Sequence, residues 1–126
     1  MAICALPRGW RASRRPIRAP WPIQSFDPDV LARCRAGIAC PLGLVAQANY
    51  DDAEWLTQEQ RAPLTLADVG SIAPDFLAWR AADLPHAVPL ICRARMPVLA
   101  WTLRDAASCA AAMQWVDQVI FEGFEP

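Results

Sequence analysis

From Trp21 onward, the apolar residues of this chain fall into short runs separated by amphipathic stretches. Ile23–Ser25 reads as a short strand and Leu42–Ala46 as a second. Asp75–Trp79, Pro97–Leu103 and Val116–Phe121 are three more. Val98, Leu99, Ala100 and Trp101 run apolar without a break, the pattern of a parallel strand buried on both faces. Helices are predicted between the strands. Asp27-Pro28 sets an N-cap residue before a proline at the first helical position. Val30, Leu31, Cys34 and Ile38 then share one face, and Gly37 helps to end the helix. Ala87–Ala94 predicts a short helix with Pro89 in its first turn. Asp105 caps another, whose Ala106, Cys109, Ala110 and Met113 follow the i, i+3, i+4, i+7 rule. The polar stretch Tyr50–Arg61 reads as a loop with a helical turn or two. Strands alternating with helices imply an α/β protein with a parallel sheet or barrel.

Residues 1–20 show no period of 2 or 3.6. They carry five arginines and no acid, as an organelle transit peptide can, but Pro7, Pro16 and Pro20 would interrupt its helix. This Arg/Pro-rich segment is left unassigned, as a disordered tail or a start foreign to the domain that follows. The domain proper is residues 21–126.

Charge sharpens the picture. The chain has 126 residues, is 55% hydrophobic and 20% charged, and has a net charge of −1 without any lysine. Residues 27–126 hold seven arginines against thirteen acids, a net −6. So acidic a body is unsuited to a nucleic-acid groove, where phosphates need clustered cations. No apolar run approaches the roughly 18 residues that a membrane span needs. Five cysteines without a CxxC suggest neither a zinc site nor a disulfide framework. Free thiols point to a reducing, cytoplasmic setting.

Four stretches in order carry a resemblance: Ile23-Gln24-Ser25-Phe26-Asp27, Asp75–Pro85 (DFLAWRAADLP), Pro97–Leu103 (PVLAWTL) and Val116–Gly123 (VDQVIFEG). Together they are similar to the C-terminal part of the glycerophosphodiester phosphodiesterase family, in particular its bacterial members. That family folds as a (β/α)8 barrel, which typically needs ~250 residues. The resemblance implies a partial TIM-type barrel here, with strands four to eight present and the N-terminal three without counterpart. It also implies metal-dependent hydrolysis of a glycerophosphodiester to an alcohol and glycerol 3-phosphate, with a divalent cation, Mg or Ca, as cofactor. The family's His-Arg-Gly, Glu-x-Asp and His-Asp motifs and its third-strand Glu and Lys bind that metal and move the protons. None has a match in this sequence, so no catalytic and no metal-binding residue is assigned. The expectation is a truncated member, inactive alone, that takes a glycerophosphodiester only when completed by N-terminal strands.

Three residues remain as candidates for a substrate pocket: Ser25, Phe26 and Trp101 lie at the C-terminal ends of their strands, the active face of such barrels. Trp101 reads equally as a pocket wall or a core aromatic. Ser25 reads also as a strand-end cap for the next helix. Asp51, Asp52 and Glu54 are the densest acidic cluster and read as a solvated loop. His86, the only histidine, reads as a surface residue. Cys34 and Cys109 read as small core residues. An alternative reading is a non-catalytic assembly module that pairs through open sheet edges, since five βα units cannot close a small barrel.

Overall fold

The computed structural model describes residues 2–3, 21–59 and 61–124. The Arg/Pro-rich residues 4–20, left unassigned above, lie outside the described residues. In chain order the elements are β1 (Ala2–Ile3), β2 (Ile23–Ser25), α1 (Pro28–Gly37), β3 (Leu42–Ala46), α2 (Leu66–Ile72), β4 (Phe76–Arg80), α3 (Ala87–Cys92), β5 (Val98–Leu103), α4 (Ala106–Ala112) and β6 (Gln118–Phe121). The strands form one sheet in the order β1-β6-β5-β4-β3-β2. Strands β2 to β6 are parallel neighbours in sequence order, and β1 adds antiparallel to β6. This is an α/β fold with a five-stranded parallel sheet flanked by helices. Strand order that follows chain order, with a crossover each time, is consistent with part of a TIM-type barrel.

Alternation along the strands divides the core in two. Leu42, Leu44, Ala46, Leu77, Trp79, Val98, Ala100 and Val119 face the helices and pack with Leu31, Val69, Val88, Cys92, Cys109 and Ala112. Val45, Phe76, Ala78, Leu99 and Ile120 form a second cluster, with Phe26 and Trp101 half-buried against it. Both faces are therefore buried, which explains why the strands read as continuous apolar runs. Gly43 stands beside Phe76 in the β3–β4 register. A Cβ there would meet the Phe76 ring at Cε2 and Cζ, and at 2.7 Å from Cε1. Only glycine lets the ring lie across its neighbour strand.

The N-terminal rim of the sheet uses one device twice. Asp75, just before β4, accepts the N–H of Leu42 at the start of β3 (2.8 Å), and its own N–H donates to Leu42 O (2.7 Å). Asp117, just before β6, accepts the N–H of Val98 at the start of β5 (2.9 Å), and its own N–H donates to Val98 O (2.8 Å). Each carboxylate also meets an arginine: Arg35 at 3.6 Å from Asp75, Arg93 at 2.9 Å from Asp117. These aspartates satisfy strand-end donors that would otherwise be left without a partner next to the core. For this reason β4 begins at Phe76 and β6 at Gln118, later than the sequence pattern suggests.

The helices start where their caps predict. Asp27 accepts the N–H of Asp29 (2.8 Å), with Pro28 opening α1. Asp105 accepts the N–H of Ser108 (2.7 Å) to open α4. The expected apolar face of α4 is corrected: Met113 is exposed, as are Ala106 and Ala110, and the buried positions are Cys109 and Ala112. The helix lasts only seven residues, so the stripe that docks is set by where Asp105 starts it and where Val116 must enter the core. Between β3 and β4, α2 is a further helix, opened by a capping box in which Thr65 and Asp68 each hold the other's backbone N–H. Among the described residues no helix is long and apolar enough to cross a membrane.

Candidate functional site

Because β2 to β6 are parallel, their C-terminal ends lie along one rim, and Ser25, Phe26 and Trp101 are on it. Trp101 is on the same face of β5 as Leu99, the face against which Phe26 also packs, and a bulge falls at this strand end. Between the pairs Ala100↔Val119 and Leu103↔Phe121, β5 has one residue more than β6. Such an insertion re-aims a side chain at the end of a strand, and here it returns Leu103 to the helix-facing cluster. The Trp101 indole N–H donates to Ala78 O (3.0 Å), which fixes the ring. Phe26 meets it edge to face, with centroids 5.6 Å apart and planes at 89°. Phe26 also meets Tyr50 edge to face at 6.4 Å.

Phe26 and Trp101 line a cleft of about 500 Å³. Val45 is at its floor, Trp55 and Leu56 come from the loop after β3, and Ser25 and Thr102 add hydroxyls. Gln24 and Asp27 complete the lining. Trp55 is 68% exposed, a large apolar side chain held in water at the cleft mouth. Ser25 Oγ accepts the N–H of Asp27 (3.0 Å), so its hydroxyl anchors the turn into α1 while lining the cleft. Asp27 itself is the cap of α1. Trp101 is half-buried, at once packed on the second cluster and open to the cleft.

A polar knot lies beside the cleft, at the ends of β3 and β4. Gln47 is buried, and its amide donates to Asn49 O (2.6 Å) and Asp52 Oδ1 (3.3 Å). Tyr50 OH accepts the N–H of Gln47 (3.2 Å), and burial pushes its phenol above the usual value of 10.0. Arg80 pairs with Asp52 at 3.1 Å, and Asp83 accepts the N–H of Ala48 (2.9 Å). Asp52 therefore braces a loop, while Asp51 and Glu54 are exposed. His86 is half-buried rather than a plain surface residue. Its Nδ1 accepts the N–H of Val88 (3.2 Å) to cap α3, and its ring stacks on buried Trp79 at 4.8 Å.

A divalent cation does not fit the described residues. No group of three or more His, Cys, Asp or Glu among them could hold a metal ion. The best-placed carboxylate, Asp52, is already engaged by Arg80 and Gln47. Trp55, Leu56 and the Gln47–Arg80 knot were not anticipated as site features. An apolar Trp-Leu pair inside a polar loop was the available signal.

No family model matches the chain, and no curated protein matches it. Among solved structures, it is similar to a Silicibacter pomeroyi DSS-3 protein carrying the provisional name glycerophosphoryl diester phosphodiesterase. The likeness has a TM-score of 0.56 at 20% identity and covers 79% of this chain and 34% of that one. It establishes a shared fold. The chain spans about a third of that protein's length.

Proposed function

We propose that residues 21–126 are the C-terminal part of a glycerophosphodiester phosphodiesterase-like barrel. In this reading the cleft of Phe26, Trp55 and Trp101 holds the organic part of the diester. The observation that carries it is the match of the five-stranded parallel sheet to a third of a protein with that name. The position of the cleft supports it, since barrel enzymes act at the C-terminal ends of their strands. The reaction would add water across a P–O bond to give an alcohol and glycerol 3-phosphate. It needs a divalent cation and a proton carrier, and the described residues offer neither a ligand set nor a free imidazole. The reading therefore makes the 126-residue chain inactive alone. The four described cysteines are free thiols, in keeping with a cytoplasmic setting.

The test is hydrolysis of glycerophosphocholine by the purified chain with Mg²⁺ or Ca²⁺. No glycerol 3-phosphate above the blank is expected. Metal-stimulated turnover, lost in Trp101→Ala, would show that these residues suffice and overturn the inactive reading. A second test bears on the family itself: DNA upstream of Met1 should encode His-Arg-Gly and Glu-x-Asp motifs in some frame, and finding neither sinks the reading.

A second reading is favoured by the open sheet. Strand β2 has β3 as its one neighbour among the described strands. An open edge is a template for another chain, so the protein would work as an assembly module. Light scattering should then give a dimer or larger complex, and a stable monomer would exclude this role.

A further inference from the structure

Among the described strands, β1 breaks the parallel order. Strands β2 to β6 run parallel, whereas β1 runs antiparallel along the outer edge of β6. The register sets Ala2 beside Phe121 and Ile3 beside Ile120. On the inner edge of β6, the N–H of Asp117 donates to Val98 O of β5. Backbone groups alternate in direction along a strand, so Val119 also faces β5 and Ile120 faces β1. Ile3 and Ile120 are therefore the pair that exchanges both N–H···O bonds.

The edge beneath β1 is built to pair. Ile120 is fully buried in one core cluster and Val119 is buried in the other, so β6 is apolar on both faces. Such an edge, uncovered, is a template for another strand. Its cover is slight, two residues of β1 against four of β6. A longer antiparallel strand would form more hydrogen bonds in the same place. The β6 strand of a second copy is one. Two copies joined edge to edge about a two-fold axis normal to the sheet meet antiparallel, as β1 already does. With Ile120 on that axis, each Ile120 exchanges with its copy the two bonds it now shares with Ile3. The Asp117 end of one strand then lies beside the Glu122 end of the other. Both carboxylates are paired within their own chain, Asp117 with Arg93 at 2.9 Å and Glu122 with Arg104 at 3.6 Å, so no bare like charges oppose the contact. We propose that β1 is an autoinhibitory plug on the β6 edge, and that this edge, when β1 leaves it, joins a second copy of the chain through β6. The contact is self-complementary, so it closes as a pair and does not grow into a fibre. It lies at the opposite edge of the sheet from β2 and does not depend on what the C-terminal rim binds.

Light scattering on the full 126-residue chain tests it with two substitutions. Ile3→Pro removes the N–H that Ile120 O accepts, and Ile3→Ala keeps it. As concentration rises, Ile3→Pro should approach twice the mass of Ile3→Ala, whatever the unsubstituted chain forms at its β2 edge. Ile3→Ala should match the unsubstituted chain. Equal masses for the two variants overturn the plug, and a mass that keeps growing past twofold overturns the two-fold contact. A second measurement needs no variant. A synthetic peptide copying Asp117–Gly123, added in excess to the unsubstituted chain, should take the place of β1. Amide exchange at Ile3 should then speed up about tenfold, the scale of one or two hydrogen bonds lost. Exchange at Ile3 that the peptide leaves unchanged overturns the proposal even if Ile3→Pro fails to fold.

Discussion

Replacing Asp117 with alanine should be among the most damaging single changes away from the core. Its Oδ2 accepts the N–H of Val98 at 2.9 Å, and its Oδ1 accepts Arg93 Nε at 2.9 Å. Val98 is fully buried, so its N–H would lose its partner with little access to water. A hydrogen bond to a charged group contributes roughly 1.5–3 kcal/mol. The Val98 bond deserves the upper part of that range. The Arg93 bond deserves less, because both side chains are about a third exposed, at 35% and 29%, and Arg93 keeps its bond to Gln114 O. The sum is about 3 kcal/mol for Asp117→Ala. Asp117→Asn keeps a neutral acceptor for Val98 and should cost about 1 kcal/mol. Urea unfolding followed by circular dichroism, with the m-value unchanged, measures both. If alanine costs under about 1 kcal/mol, or asparagine as much as alanine, the carboxylate does not hold the strand end and the account of the rim is wrong.

Two further outcomes follow from local geometry. Gly43→Ala should destabilise by about 3 kcal/mol, the severe end of overpacking, because the buried Phe76 ring has no space to yield; Phe76→Leu in the same chain should recover part of the loss, and a tolerated Gly43→Ala would mean the ring is not where the structure puts it. The Asp68 carboxyl is held below its ordinary 3.8 by the Thr65 hydroxyl and then by the Thr65 backbone N–H. A depressed carboxylate contributes stability that is complete above its unfolded pKa and is lost as pH falls through the folded one. Carbon-detected NMR titration should therefore find Asp68 still ionised when exposed, uncapped carboxyls are half protonated, and Thr65→Ala should return it toward the ordinary value; a midpoint unmoved by that change would remove the capping box from the account.

The parts of this fold that were legible in the sequence are those set by chain neighbours. Asp27-Pro28 and Asp105 announce their helices because a cap acts within three residues. Leu42–Ala46 is a strand at both of its expected ends, because both faces are buried and the run is unbroken. The same kind of signal, Thr65 three residues before Asp68, stands before α2, a helix that the sequence reading did not anticipate. Residues whose roles depend on strand pairing were not legible. Asp75 looks like the first residue of a strand, yet its carboxylate belongs to the neighbouring strand's N–H, 33 residues away. His86 looks unpartnered until β4 brings Trp79 beneath it.

The cleft is the clearest case. Ser25, Phe26 and Trp101 were placed together by fold-level resemblance, but Trp101 could equally have been core. It is both, because it shares the face of Leu99 and packs on the second cluster, while its ring, tied by its N–H to Ala78, stands open to the cleft. Phe26, which completes the contact, comes from the end of another strand, and the residues of β5 do not encode that meeting alone. Trp55 depends on a longer path still, since the turn that carries it is braced by Arg80 and Asp52 from separate segments. The charge character of the cleft follows from these pairings and not from composition. With no lysine in the chain the cationic side chains are arginines, and Arg80 is paired with Asp52 and Arg104 with Glu122 while neither lines the cleft, which leaves Asp27 to set the sign there.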